Sequence, residues 1–168
     1  MKNYYFLIIL SVFLFISCAP AVDQNKTSVV SEGKQIESLK GLIASFTAGD
    51  WEGYRSHFTE EANVVHNLWW NTEGAAISID EMLTQHQWNR ENLFATLSVN
   101  EGIYEIITQE NGSQFGHVWI EFTTRGYDNE EEIKIPVNLS YAMEGEKVSF
   151  EWGFYDTSKF PAPKKEEY

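Results

Sequence analysis

The chain has 168 residues, with 25 acidic against 12 basic side chains and a formal net charge of −13 at neutral pH. That length suffices for one domain with a real core, and that charge argues against nucleic acid or anionic lipid headgroups as partners. Cys18 is the only cysteine, so no intrachain disulfide exists.

Lys2 and the apolar, aromatic run Tyr4 to Ile16 read as a signal-peptide core, too short for a comfortable membrane span. The run ends in Phe15-Ile16-Ser17-Cys18, which resembles the lipobox of bacterial lipoproteins, where the signal is cut before a cysteine that is then lipidated. The resemblance implies a signal over residues 1–17 and lipidation of Cys18. The chain would then be anchored by its lipid to a membrane of the bacterial cell envelope, facing outside the cytoplasm. Residues 18–32 are small and polar without periodicity, and are expected to form a flexible tether. The domain is expected over 33–158, with a frayed, proline-containing tail over 159–168.

Helices come first. Ile36, Leu39, Leu42, Ile43 and Phe46 recur at three- and four-residue steps, one stripe of an amphipathic helix. Gly49 suits a left-handed stop and Asp50 the next N-cap. Trp51, Tyr54 and Phe58 then share a face of a short second helix. After a polar–apolar piece at Asn63–His66 and a loop, Ser78 and Glu81 form a capping box. The helix it opens carries Ile79, Met82, Leu83, His86 and Leu93 on or near one stripe.

From Ala95 the period becomes two. One long strand runs through Leu97 and Val99 to Thr108, with a bulge at Gly102. Then Val118, Ile120 and Phe122 alternate with His117, Trp119 and Glu121. Ile133, Ile135, Val137, Leu139 and Tyr141 follow on one face of the next strand, and Val148, Phe150, Trp152 and Phe154 on one face of the last. Each has an apolar and a mostly polar face, as in an antiparallel sheet packed on one side. Helices followed by a meander give an α+β class.

Order and local phrases together resemble the nuclear transport factor 2-like, or SnoaL-like, superfamily. An opening amphipathic helix leads into Gly49-Asp50-Trp51, Tyr54, Phe58, Ala62 and Val64. Near the end stand Gly145-Glu146-Lys147-Val148, Trp152, Tyr155 and Asp156, so the likeness spans Ile36 to Asp156. It implies a cone-shaped, curved antiparallel sheet wrapped around a pocket that N-terminal helices close. With the apolar faces inward, ligand-binding residues would be Tyr54, Phe58, Trp70 (or Trp69), Phe122, Tyr141, Phe150 and Trp152. Ile120, Leu139 and Phe154 would complete an aromatic lining for a small, mostly apolar molecule.

Enzymes of that superfamily move protons next to carbonyls. Carried over, the base position falls on or beside His66, and the oxyanion positions fall near Leu42 and near Leu139 or Asn138. Neither leucine can donate a hydrogen bond. A cyclase-like site would pair His66 or His86 with Asp156. The histidines and Glu121 lack metal-ligand spacing, and no nucleophile elbow, phosphate loop or dinucleotide fingerprint occurs, so neither metal nor cofactor is expected. Three readings follow: a binder of a small apolar molecule, a proton-transfer isomerase, lyase or cyclase, and a non-catalytic module that forms a homodimer through Trp119 and His117.

Overall fold

The computed structural model describes residues 26–67, 75–128 and 131–165. Strand β1 (Ser28–Val30) lies inside the segment expected to be tether. It is exposed, yet it pairs antiparallel with a later strand, so backbone hydrogen bonding extends the ordered domain to residue 28. Helix α1 (Lys34–Ala48) buries Ile36, Leu39, Leu42 and Ile43, as the stripe requires. Gly49 ends it at φ 73°, a conformation that costs a residue without Cβ nothing, and its N–H bonds back to the Phe46 carbonyl.

Asp50 accepts a hydrogen bond from the Gly53 N–H at 2.9 Å and opens α2 (Trp51–Ser56). That helix stops before Phe58, which instead begins strand β2 (Phe58–His66). Strand β3 (Ile77–Ser78) leads into α3 (Ile79–Asn92) through a complete Ser78–Glu81 capping box. Strands β4 (Thr96–Val99) and β5 (Ile103–Thr108) lie end to end along β6 (Gln114–Arg125). Between them Asn100, Glu101 and Gly102 oppose only Ile120 and Glu121, the extra residue of a bulge. Strands β7 (Ile133–Glu144) and β8 (Lys147–Tyr155) complete the meander.

The result is one curved, unclosed eight-stranded sheet in the order β1-β5-β6-β7-β8-β2-β3, with β4 also on β6. Every pairing is antiparallel except β2 with β8. The helices pack on one face of it. The core is the α1 stripe with Tyr54, Ile106, Val118, Leu139 and Tyr141.

Strand β8 departs from the expected phase. Tyr141 pairs with Glu151, Leu139 with Gly153 and Val137 with Tyr155, whereas Met143 pairs with Val148. Two residues, Ser149 and Phe150, therefore sit opposite Ala142 alone. This bulge resets the alternation, because one extra residue moves every later side chain to the other face. Glu151, Gly153 and Tyr155 turn inward with their cross-strand partners, while Phe150, Trp152 and Phe154 turn outward. Beyond β8, a 3-10 turn (Thr157–Lys159) brings Phe160 onto Phe94 and Tyr155, with Pro161 buried and the Lys164 N–H bonded to the Asn92 carbonyl. Residues 159–165 are thus docked rather than frayed.

Candidate active site

Between helices and sheet the side chains leave a cavity of about 70 Å³. That is roughly half of the ~150 Å³ that accommodates benzene in an apolar core, so the rings fill most of the cone without meshing solid. Leu42, Ile43 and Phe46 of α1 form one wall, with Tyr54 of α2 and His86 and Asn89 of α3 beside them. Phe122, Ile135, Val137, Leu139 and Tyr141 form the sheet wall, and Phe94, Leu97 and Phe160 border the rest. Phe46 touches Tyr54, His86 and Phe122 at ring-centroid separations of 5.8, 5.0 and 5.5 Å, ordinary aromatic contact.

His66, Glu151 and Tyr155 form the polar end. His66 Nε2 lies 2.8 Å from Glu151 Oε1, and His66 Nδ1 lies 2.8 Å from the Tyr155 hydroxyl. Glu151 is 2% exposed, and its second oxygen has no hydrogen-bond partner among the described residues. Backbone geometry holds this arrangement. Asn67, at φ 58°, donates its N–H to the Gly153 carbonyl and accepts the Tyr155 N–H on its side chain. Asparagine is one of the few residues that adopt that conformation readily. A Cβ at Gly153 would overlap the His66 ring, so the ring can lie flat on β8 only because position 153 is glycine.

The electrostatics follow from one buried carboxylate among rings. Burial, then the Glu151 charge, pushes the phenols of Tyr54, Tyr141 and Tyr155 well above their usual range. Burial, then the neighbouring His66, lowers His86 to about 3, so His86 is a neutral imidazole at physiological pH. Its ring stands 5.9 Å from that of His66. The buried Tyr141 hydroxyl has no hydrogen-bond partner among the described residues.

Of the residues expected from sequence, the fold gathers His66, His86, Tyr54, Phe122 and Tyr141 around the cavity. Phe58 is buried against Tyr54 in the core behind it. Asp156 is corrected: its side chain is spent capping the 3-10 turn at Ser158, on the exposed surface. Phe150 and Trp152 are corrected too, packing on each other at 4.3 Å on the outer face. Trp69, Trp70 and Cys18 lie outside the described residues. The expected dimer residues Trp119 and His117 stack at 5.6 Å on the outer face, Trp119 being 40% exposed. Among the described residues no three histidine, cysteine or carboxylate side chains group as metal ligands.

Sequence reasoning missed Glu151 and Tyr155, although a signal was present. Gly153 sits inside a strand, where glycine marks a close approach by another group. Such a contact was a reason to ask which face of β8 it lay on.

No protein-family model and no curated protein matches the chain. Solved structures do match it. An NTF2-like protein from Burkholderia xenovorans LB400 is 17% identical, covering 75% of this chain and 92% of that one at a TM-score of 0.53. A protein designated a SnoaL-like polyketide cyclase, from Jannaschia sp. CCS1, is 14% identical over 75% of this chain and 88% of its own, at 0.56. A hypothetical protein with a ketosteroid isomerase-like fold from Catenulispora acidiphila DSM 44928, solved in complex with trimethylamine, is 10% identical. It covers 73% of this chain and 88% of its own, at 0.55. At these identities the likeness establishes the fold alone: the chain has a mixed α+β fold, a curved, unclosed sheet with helices, like that of these NTF2-like and ketosteroid isomerase-like structures.

Proposed function

We propose that the cavity binds a compact, mostly apolar small molecule and transfers a proton on it, the chemistry of an isomerase, lyase or cyclase. The observation that carries this reading is the Glu151–His66–Tyr155 hydrogen-bonded chain at the edge of an otherwise apolar cavity. A carboxylate that fixes an imidazole makes a positioned base or acid, worth about 10²–10⁴-fold in rate. Structural likeness to proteins designated cyclase and isomerase-like supports the same class. In place of donors at Leu42 and Leu139, this reading rests on Glu151 and Tyr155 of β8 beside His66. The cavity's size argues for a guest of few heavy atoms, smaller than a fused-ring one.

The test is turnover of small enolisable ketones and lactones, with binding followed separately by ligand-observed NMR. Glu151→Gln is expected to reduce turnover by about a hundredfold or more while binding persists. Full turnover in Glu151→Gln, or binding without any turnover across the panel, removes the enzymatic reading and leaves a binding protein.

The proposal also places the domain on a cell-envelope membrane through a lipid on Cys18, facing outside the cytoplasm. Its support is the Phe15–Cys18 phrase after the apolar run.

A further inference from the structure

We infer that the group meeting the substrate is the Tyr155 hydroxyl, with His66 relaying its proton and Glu151 holding the charged imidazole. This rests on the proton-transfer reading above. The argument begins with valence. Both ring nitrogens of His66 are occupied, Nε2 by Glu151 Oε1 and Nδ1 by the Tyr155 hydroxyl, each at 2.8 Å. A carboxylate only accepts, so Nε2 carries the hydrogen. The Nδ1 lone pair then accepts from the Tyr155 O–H. His66 has no lone pair left for a substrate, whereas the Tyr155 oxygen still has its own.

Position agrees. Tyr155 lines the cavity and is held on three sides. Asn67 fixes its backbone N–H, Phe160 stacks on its ring at 5.6 Å with an 8° interplanar angle, and His66 holds its hydroxyl. The step balances without a co-reactant. A substrate C–H bond next to a carbonyl breaks, and its electron pair stays on the substrate as an enolate. The proton bonds to the Tyr155 oxygen as the phenol's own proton passes to His66 Nδ1. The imidazolium formed lies against the Glu151 carboxylate, so one new positive charge meets a negative one already buried. Return of the proton to a different carbon completes an isomerisation.

Such a relay also explains how a buried tyrosine can act as a base. Burial and the Glu151 charge make a free tyrosinate costly here. When the phenol gains one proton as it loses another, no tyrosinate has to form.

The test follows α-proton exchange of acetone in D2O by proton NMR, with contact read by saturation transfer, in the full chain. Tyr155→Phe and His66→Gln are each expected to slow exchange at least about tenfold while contact is kept. Wild-type exchange in Tyr155→Phe, with exchange lost in His66→Gln, overturns the relay and leaves His66 as the contacting base. Contact without exchange in the wild type overturns the proton-transfer reading and the relay with it. Independently of any probe, nitrogen-15 NMR of His66 is expected to find hydrogen on Nε2 and an Nδ1 signal that moves in Tyr155→Phe. Hydrogen on Nδ1 overturns the relay whatever the ketone does.

Discussion

His86 and Gly153 set the terms on which His66 can work. Because burial lowers His86 to about 3 while an unfolded histidine titrates near ~6.5, the unfolded chain binds an extra proton between those values. Stability therefore falls as pH drops through that window, by about 2 kcal/mol from this group at pH 5. Urea midpoints at pH 7 and pH 5 measure it, and His86→Gln is expected to flatten the difference. An equally steep fall in the variant would show that His86 is not the group responsible. Gly153 acts by absence, since any Cβ there meets the imidazole. Gly153→Ala is expected to cost about 1–3 kcal/mol by overpacking and to disturb the His66 ring signals in NMR. A stable variant with unchanged His66 shifts would mean that the ring lies elsewhere.

At the scale of elements, the bulge at Ser149–Phe150 decides the chemistry of β8. Without it, Trp152 would point into the cone and Glu151 into water; with it the two exchange places. The prediction is a contrast between neighbours. Trp152→Ser should leave ligand contact and turnover near wild type, while Glu151→Gln removes turnover. Loss of ligand contact in Trp152→Ser, in a protein that still melts cooperatively, would return the tryptophan to the pocket. Tyr54 shows the opposite case. Its place on a short helix capped by Asp50 was readable from sequence, and it reached the cavity as expected. Local signals fixed α1, α3 and the capped start of α2, because caps and three- to four-residue spacing act within one turn, but Phe58, expected on α2, opens β2. They failed at β8 because a bulge is written in the partner strand's register, not in the strand itself.

Over the whole molecule, a chain with a formal charge of −13 encloses a centre that is mostly apolar among the described residues, with Glu151, His66, His86, Asn89, Thr124 and a few phenols as its polar groups. Among the described residues no helix is long and apolar enough to cross a membrane. The proposed anchor is a lipid on Cys18, and the chain's net negative charge would keep the domain off anionic headgroups. Cys18→Ser is expected to move the protein from the membrane to the soluble fraction of expressing bacteria, with its ligand contact unchanged. Continued recovery with membranes would place the anchor elsewhere.

The family resemblance carried His66 to the site, while the one-dimensional pattern was sufficient for the α+β class, the apolar stripes, the helix caps and the meander. Those features arise from hydrophobic periods and caps, which are local. The tertiary structure alone decided that Glu151 and Tyr155 flank His66, that Asp156 is spent on a turn, and that Ser28–Val30 and Phe160 belong to the fold. Each of these depends on which residues of distant segments come to lie opposite one another, and a shift of one position reverses the answer.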